Sequence, residues 1–131
     1  MSLQSDVEEL WARYEEGLTA ADAGAEELTV LADFLAALES GEVRAAEKRG
    51  GEWRANEWVK RGILLNFGLR EISRYEYGGV TYNDVLPLQD TSEYAARGSR
   101  NTPDGTVVRT GAHVGADCIL MSPSFVNVGA R

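Results

Sequence analysis

Few side chains in this sequence could do covalent or proton-transfer chemistry. His113 is the single histidine and Cys118 the single cysteine. A neutral imidazole can act as a general base toward an attacking amine or hydroxyl, whereas a thiol becomes a nucleophile only where a neighbouring cation lowers its pKa. No acid with an orienting role accompanies His113, and no second histidine or basic cluster stands beside Cys118. His113 therefore reads as a surface residue and Cys118 as a small core residue. Lys60 and Arg61 could face an acidic partner or phosphates, but a solvated helix face accounts for them as well. One cysteine excludes an internal disulfide and a cysteine-only metal site. No phosphate-loop motif and no metal-ligand cluster appears, so no residue is assigned as catalytic, cofactor-binding or metal-ligating.

The element that carries His113 and Cys118 is the last stretch, Val108 to Arg131. It divides into the hexads VRTGAH, VGADCI, LMSPSF and VNVGAR. The first column is Val108, Val114, Leu120 and Val126, all branched aliphatics; the fifth is Ala112, Cys118, Ser124 and Ala130, all small. That pattern predicts a left-handed parallel β-helix, in which each aliphatic points into a dry interior and each small residue lets the backbone turn a corner. Three hexads close one coil. So short a coil cannot offset its own ordering entropy by burying a few aliphatics, and it must lean on the preceding residues, on identical chains, or on further coils beyond Arg131.

Composition narrows the class. With 131 residues, 44% hydrophobic and 26% charged, the sequence suits one ordinary domain, or a small domain and the start of another. A formal charge of −8 argues against nucleic acid, whose phosphates need a basic surface. No apolar run approaches membrane-spanning length and no cleavable leader opens the chain, which makes cytoplasm the expected location and a membrane partner unexpected.

Taken in order, residues 6–18 place Val7, Leu10, Trp11, Tyr14 and Leu18 at helical spacing, with a stop near Gly17. A second helix carries the stripe Leu28, Leu31, Leu35 and Leu38, widened by Phe34, and ends at Gly41. Gly50-Gly51 between two short runs predicts a hairpin. Asn56 offers an N-cap side chain to a third helix, expected to bury Trp58, Val59, Ile63, Leu64 and Phe67. Gly62 inside that helix suggests close approach of another backbone. Residues 69–86 read as extended, interrupted by Gly78-Gly79, and the polar stretch Gln89 to Gly105 reads as a mobile loop or linker. The expected fold is α+β: a helical amino-terminal domain with a small hairpin over residues 1–88, a linker over 89–105, and the start of the β-helix over 106–131.

The run Ser40 to Lys48, Trp53 to Lys60 and Leu64-Leu65-Asn66-Phe67, followed by Val85 to Leu88, Arg109 to Ala112 and Met121 to Ala130, resembles the amino-terminal part of the tetrahydrodipicolinate N-succinyltransferase family. The resemblance covers nearly the whole chain in matching order. It implies an acyltransferase of the diaminopimelate branch of lysine biosynthesis, which moves succinyl from succinyl-coenzyme A to the amino group of a ring-opened dicarboxylate. Succinyl-coenzyme A would be a co-substrate rather than a tightly bound cofactor, and the intact family implies a homotrimer. The resemblance also implies that Arg100 holds a substrate carboxylate, a task suited to a planar guanidinium fork; a solvated loop arginine is the plainer alternative. The family's catalytic aspartate and coenzyme A groove correspond to positions past Arg131, so the 131-residue chain is expected to be roughly half an enzyme and inactive alone. A different hexapeptide acyltransferase, for example one with an amino-sugar acceptor, and a non-catalytic trimerising module stay open as other readings.

Overall fold

The computed structural model describes residues 2–131. The fold is α+β, with three helices, two antiparallel hairpins, and a terminal region of short parallel strands. Helix α1 spans Leu3–Glu15. It begins ahead of the predicted residue 6 because Ser2 caps it: the Ser2 hydroxyl accepts from the Ser5 amide at 3.1 Å and the Ser5 hydroxyl accepts from the Ser2 amide at 3.0 Å. Leu18 lies beyond the helix but still packs on the core. Helix α2, Ala25–Ser40, ends at Gly41 in the left-handed region, as the sequence predicts.

Strands β1 (Ala46–Arg49) and β2 (Glu52–Ala55) form the predicted hairpin around Gly50-Gly51, both glycines with positive φ. Helix α3, Glu57–Gly68, starts after Asn56, but the Asn56 side chain does not cap it. Its amide instead donates to the Arg44 carbonyl at 2.8 Å and its oxygen accepts from Arg49 at 2.9 Å, tying the helix start to the hairpin.

The buried face of α3 is also rotated from the expected one. Val59, Gly62, Leu65 and Asn66 are buried, whereas Leu64 and Phe67 are exposed and Trp58 and Ile63 half-buried. The reason is Gly62. A side chain there would meet the Phe34 ring at 2.5 Å, so the glycine admits an aromatic ring from α2, not another backbone. Phe34 then meets Trp58 edge-on at 6.0 Å. The main core is Val7, Leu10, Leu31, Phe34, Leu35, Leu38, Val59, Leu65 and Leu69, joined by Leu86 and by Val128 from the terminal region.

Strands β3 (Ser73–Tyr77) and β4 (Val80–Asp84) make a second hairpin about Gly78-Gly79, with Tyr75 opposite Tyr82. Four short strands follow: β5 (Arg100–Asn101), β6 (Thr106–Val108), β7 (Ile119–Leu120) and β8 (Ser124–Val126). They pair in parallel, β5 with β7 and β6 with β8, and Thr106, Val107 and Val108 each face the residue three hexads later. All four first-column aliphatics, Val108, Val114, Leu120 and Val126, join a second cluster with Tyr94, Ala112 and Cys118.

Residues 89–105 do more than link. Tyr94 is 2% exposed at the centre of the second cluster. The Ser99 hydroxyl donates to the Gly115 carbonyl at 2.7 Å and accepts from the Cys118 amide at 3.1 Å, and the Gln89 amide donates to the Ala112 carbonyl at 2.7 Å. One tyrosine and two polar side chains are enough to dock a stretch whose composition looks like a loop. No helix among the described residues is long and apolar enough to cross a membrane.

Candidate functional site

Arg100 sits in β5, held through its backbone: its amide donates to the Cys118 carbonyl at 2.8 Å and it stands opposite Ile119. Its side chain is exposed and forms no ion pair among the described residues. A short strand thus fixes the main chain while the guanidinium keeps its donors free, which is the state a carboxylate-binding arginine needs.

Arg109, nine positions on, is committed elsewhere. Its guanidinium pairs with Asp84, donates to Asn127 Oδ1 at 3.3 Å and lies over the Phe67 ring at 5.0 Å. Those partners come from β4, the turn after β8, and α3, so Arg109 joins three parts of the fold. Beside it opens a cleft of about 370 Å³ walled by Tyr75, Tyr77, Tyr82, Leu86, Val107 and Phe125. Phe125 is 61% exposed at its rim. Nothing in the sequence spacing links Arg109 to Asp84 or Phe67; the only signal was that Phe67 and Arg109 both belong to the matched segments.

His113 is not free on the surface. It is half-buried, its Nδ1 lies 2.9 Å from the Glu39 carbonyl oxygen at the end of α2, and its amide donates to the Ala130 carbonyl at 2.9 Å. Cys118 is partly buried, with its thiol 3.6 Å from the Ala116 carbonyl. The orienting partner of the imidazole is a backbone carbonyl at a helix end rather than a carboxylate, and the cysteine packs with apolar neighbours. Lys60 and Arg61 are exposed on α3, and the Arg61 guanidinium rests over Trp11 at 5.8 Å. Burial pushes the Tyr94 hydroxyl above its ordinary range and lowers Arg70, whose Nε donates to Asn66 Oδ1 at 2.9 Å. Both shifts trace to packing.

Residues 2–69 match a family model described as Tetrahydrodipicolinate N-succinyltransferase N-terminal. Curated relatives agree along the rest of the chain. A protein of Dechloromonas aromatica (strain RCB) is 34% identical over 131 residues, covering 98% of this chain and 47% of its own length. A protein of Caulobacter vibrioides is 37% identical over 136 residues, covering 97% and 48%, and one of Actinobacillus pleuropneumoniae serotype 5b is 36% identical over 133 residues, covering 98% and 47%. Each is named 2,3,4,5-tetrahydropyridine-2,6-dicarboxylate N-succinyltransferase. This chain spans about half the length of the curated relatives it matches.

Proposed function

The chain belongs to the tetrahydrodipicolinate N-succinyltransferase family, and from that premise we propose that it forms the helical cap and first coil of an enzyme that transfers succinyl from succinyl-coenzyme A to the amino group of a ring-opened tetrahydrodipicolinate. The observation that carries this reading is the parallel return of β6 onto β8 at three-hexad spacing, with the four first-column aliphatics in one cluster. A triangular coil would give this register, and we assign it the left-handed sense of hexapeptide β-helices.

In this reading residues 1–88 are the cap and residues 106–131 the coil, with 89–105 running between them as a docked strap. Val128 in the main core fuses cap to coil. Arg100 binds one carboxylate of the substrate. Succinyl-coenzyme A is a co-substrate, taken up and released in each cycle. The complete enzyme is a cytoplasmic homotrimer, and the net charge of −8 on this chain suits small-molecule chemistry over nucleic acid.

Acyl transfer from a thioester to an amine needs a base for the amine proton and donors for the oxyanion of the tetrahedral intermediate. The chain spans about half the length of its curated relatives, so in this reading residues 1–131 supply binding and scaffold, and the chain by itself does not transfer succinyl. The test is a chimera in which residues 1–131 replace the matching half of the Dechloromonas relative. A folded chimera should form a trimer and show succinyl-coenzyme A-dependent transfer to tetrahydrodipicolinate. A folded trimer without that activity would sink the proposal.

A further inference from the structure

A cavity of about 430 Å³ lies between the end of α2, the first hairpin and the terminal turn. Arg44, Trp53, His113 and Arg131 line it, with small apolar residues between them and no carboxylate side chain. In a chain of net charge −8, Arg44 and Arg131 bring two guanidinium groups together here. We propose that it binds a small organic oxyanion carried on a flat apolar body. The inference does not rest on the acyl-transfer reading.

The cationic wall is built by position. Arg131 Nη1 donates to the Gly41 carbonyl at 2.8 Å, and His113 Nδ1 lies 2.9 Å from the Glu39 carbonyl oxygen. Both side chains fold over Gly41, where a Cβ would come within 2.9 Å of each. The end of α2 therefore fixes one edge of the guanidinium and of the imidazole while the remaining N–H groups of Arg131 stay available as donors. Arg44 is exposed and forms no ion pair among the described residues.

The hairpin sorts its own charges in the same direction. Alternation puts Glu47, Arg49, Glu52 and Arg54 on one face, where Arg49 pairs with Glu47 and Arg54 with Glu52. The other face holds Ala46, Lys48, Trp53 and Ala55, with Lys48 directly opposite Trp53. That face meets the cavity through Ala46 and Trp53. One side of the hairpin is thus neutralised internally, and the side toward the cavity keeps a lone lysine beside an indole that is 70% exposed. An exposed indole offers a flat apolar surface, and the guanidinium donors of Arg44 and Arg131 suit an oxyanion at its edge.

His113, the single histidine, gives an unambiguous reporter. The 131-residue chain is titrated with benzoate, with neutral benzamide, and with inorganic phosphate while the His113 ring signals are followed by NMR. Benzoate should shift them saturably, and benzamide and phosphate should each bind at least about tenfold more weakly, since the first lacks the charge-assisted hydrogen bonds and the second the apolar contact. Arg44→Ala and Trp53→Ala, both at exposed positions, should each weaken benzoate by about tenfold, whereas Lys60→Ala on α3 should not. No saturable benzoate shift, or equal affinity in wild type and Arg44→Ala, overturns the site. Equal binding of benzamide overturns the oxyanion role, and equal binding of phosphate overturns the role given to Trp53.

Discussion

The guanidinium of Arg109 and the carboxylate of Asp84 pair across the joint between the second hairpin and the parallel strands. The same guanidinium covers Phe67 of α3 at 5.0 Å. Arg109→Ala removes both contacts and leaves Asp84 without its partner, so it should lower unfolding stability by about 2 kcal/mol in a denaturant titration. Asp84→Asn keeps the stacking on Phe67 and should cost less. Equal midpoints for wild type and Arg109→Ala would mean the joint is held by other contacts.

Gly62 tests whether α2 and α3 are set by one ring. Alanine normally favours a helix interior by about 1 kcal/mol over glycine. Here its Cβ would sit 2.5 Å from Phe34, and overpacking of that kind costs about 1–3 kcal/mol. Gly62→Ala should therefore destabilise. In a Phe34→Leu background much of that penalty should vanish, giving a measurable coupling in a double-mutant cycle; strict additivity would show that the ring does not limit the site.

Acid stability should depend on Arg13. It donates to Glu27 Oε1 at 2.8 Å, while Glu27 Oε2 accepts from the Gly24 amide at 3.0 Å. These hydrogen bonds, that from Arg13 foremost, hold the Glu27 carboxyl below its ordinary value of 4.5. A folded-state pKa below the unfolded one means that the contribution is complete above the unfolded value and is lost as the pH falls through the folded one. Urea midpoints measured from about pH 6 to about pH 3 should fall less steeply for Arg13→Ala than for wild type. Parallel profiles would dissociate Glu27 from acid unfolding.

Arg100 is the free cation of the parallel strands, and the proposed role gives it a kinetic signature. In the chimera with the Dechloromonas relative, Arg100→Ala should raise KM for the dicarboxylate by about tenfold, the loss of a charged hydrogen bond, with a smaller change in kcat. Unchanged kinetics would leave Arg100 a solvated surface arginine on β5.

The sequence by itself determined the local elements and the family. Gly41 ended α2, Gly50-Gly51 and Gly78-Gly79 marked the turns between paired strands, and the first column of hexads marked the residues that cluster in the terminal region. Each of these follows from backbone freedom or side-chain periodicity within a few residues, which a linear reading contains. Tertiary structure alone decided which face of α3 is buried, because that depends on where the Phe34 ring arrives from α2. It likewise turned the Asn56 side chain from the helix to Arg44, set His113 against the end of α2, and docked residues 89–105 through Tyr94. These are contacts between residues distant along the chain, fixed by how the packed elements meet, and no local spacing encodes them.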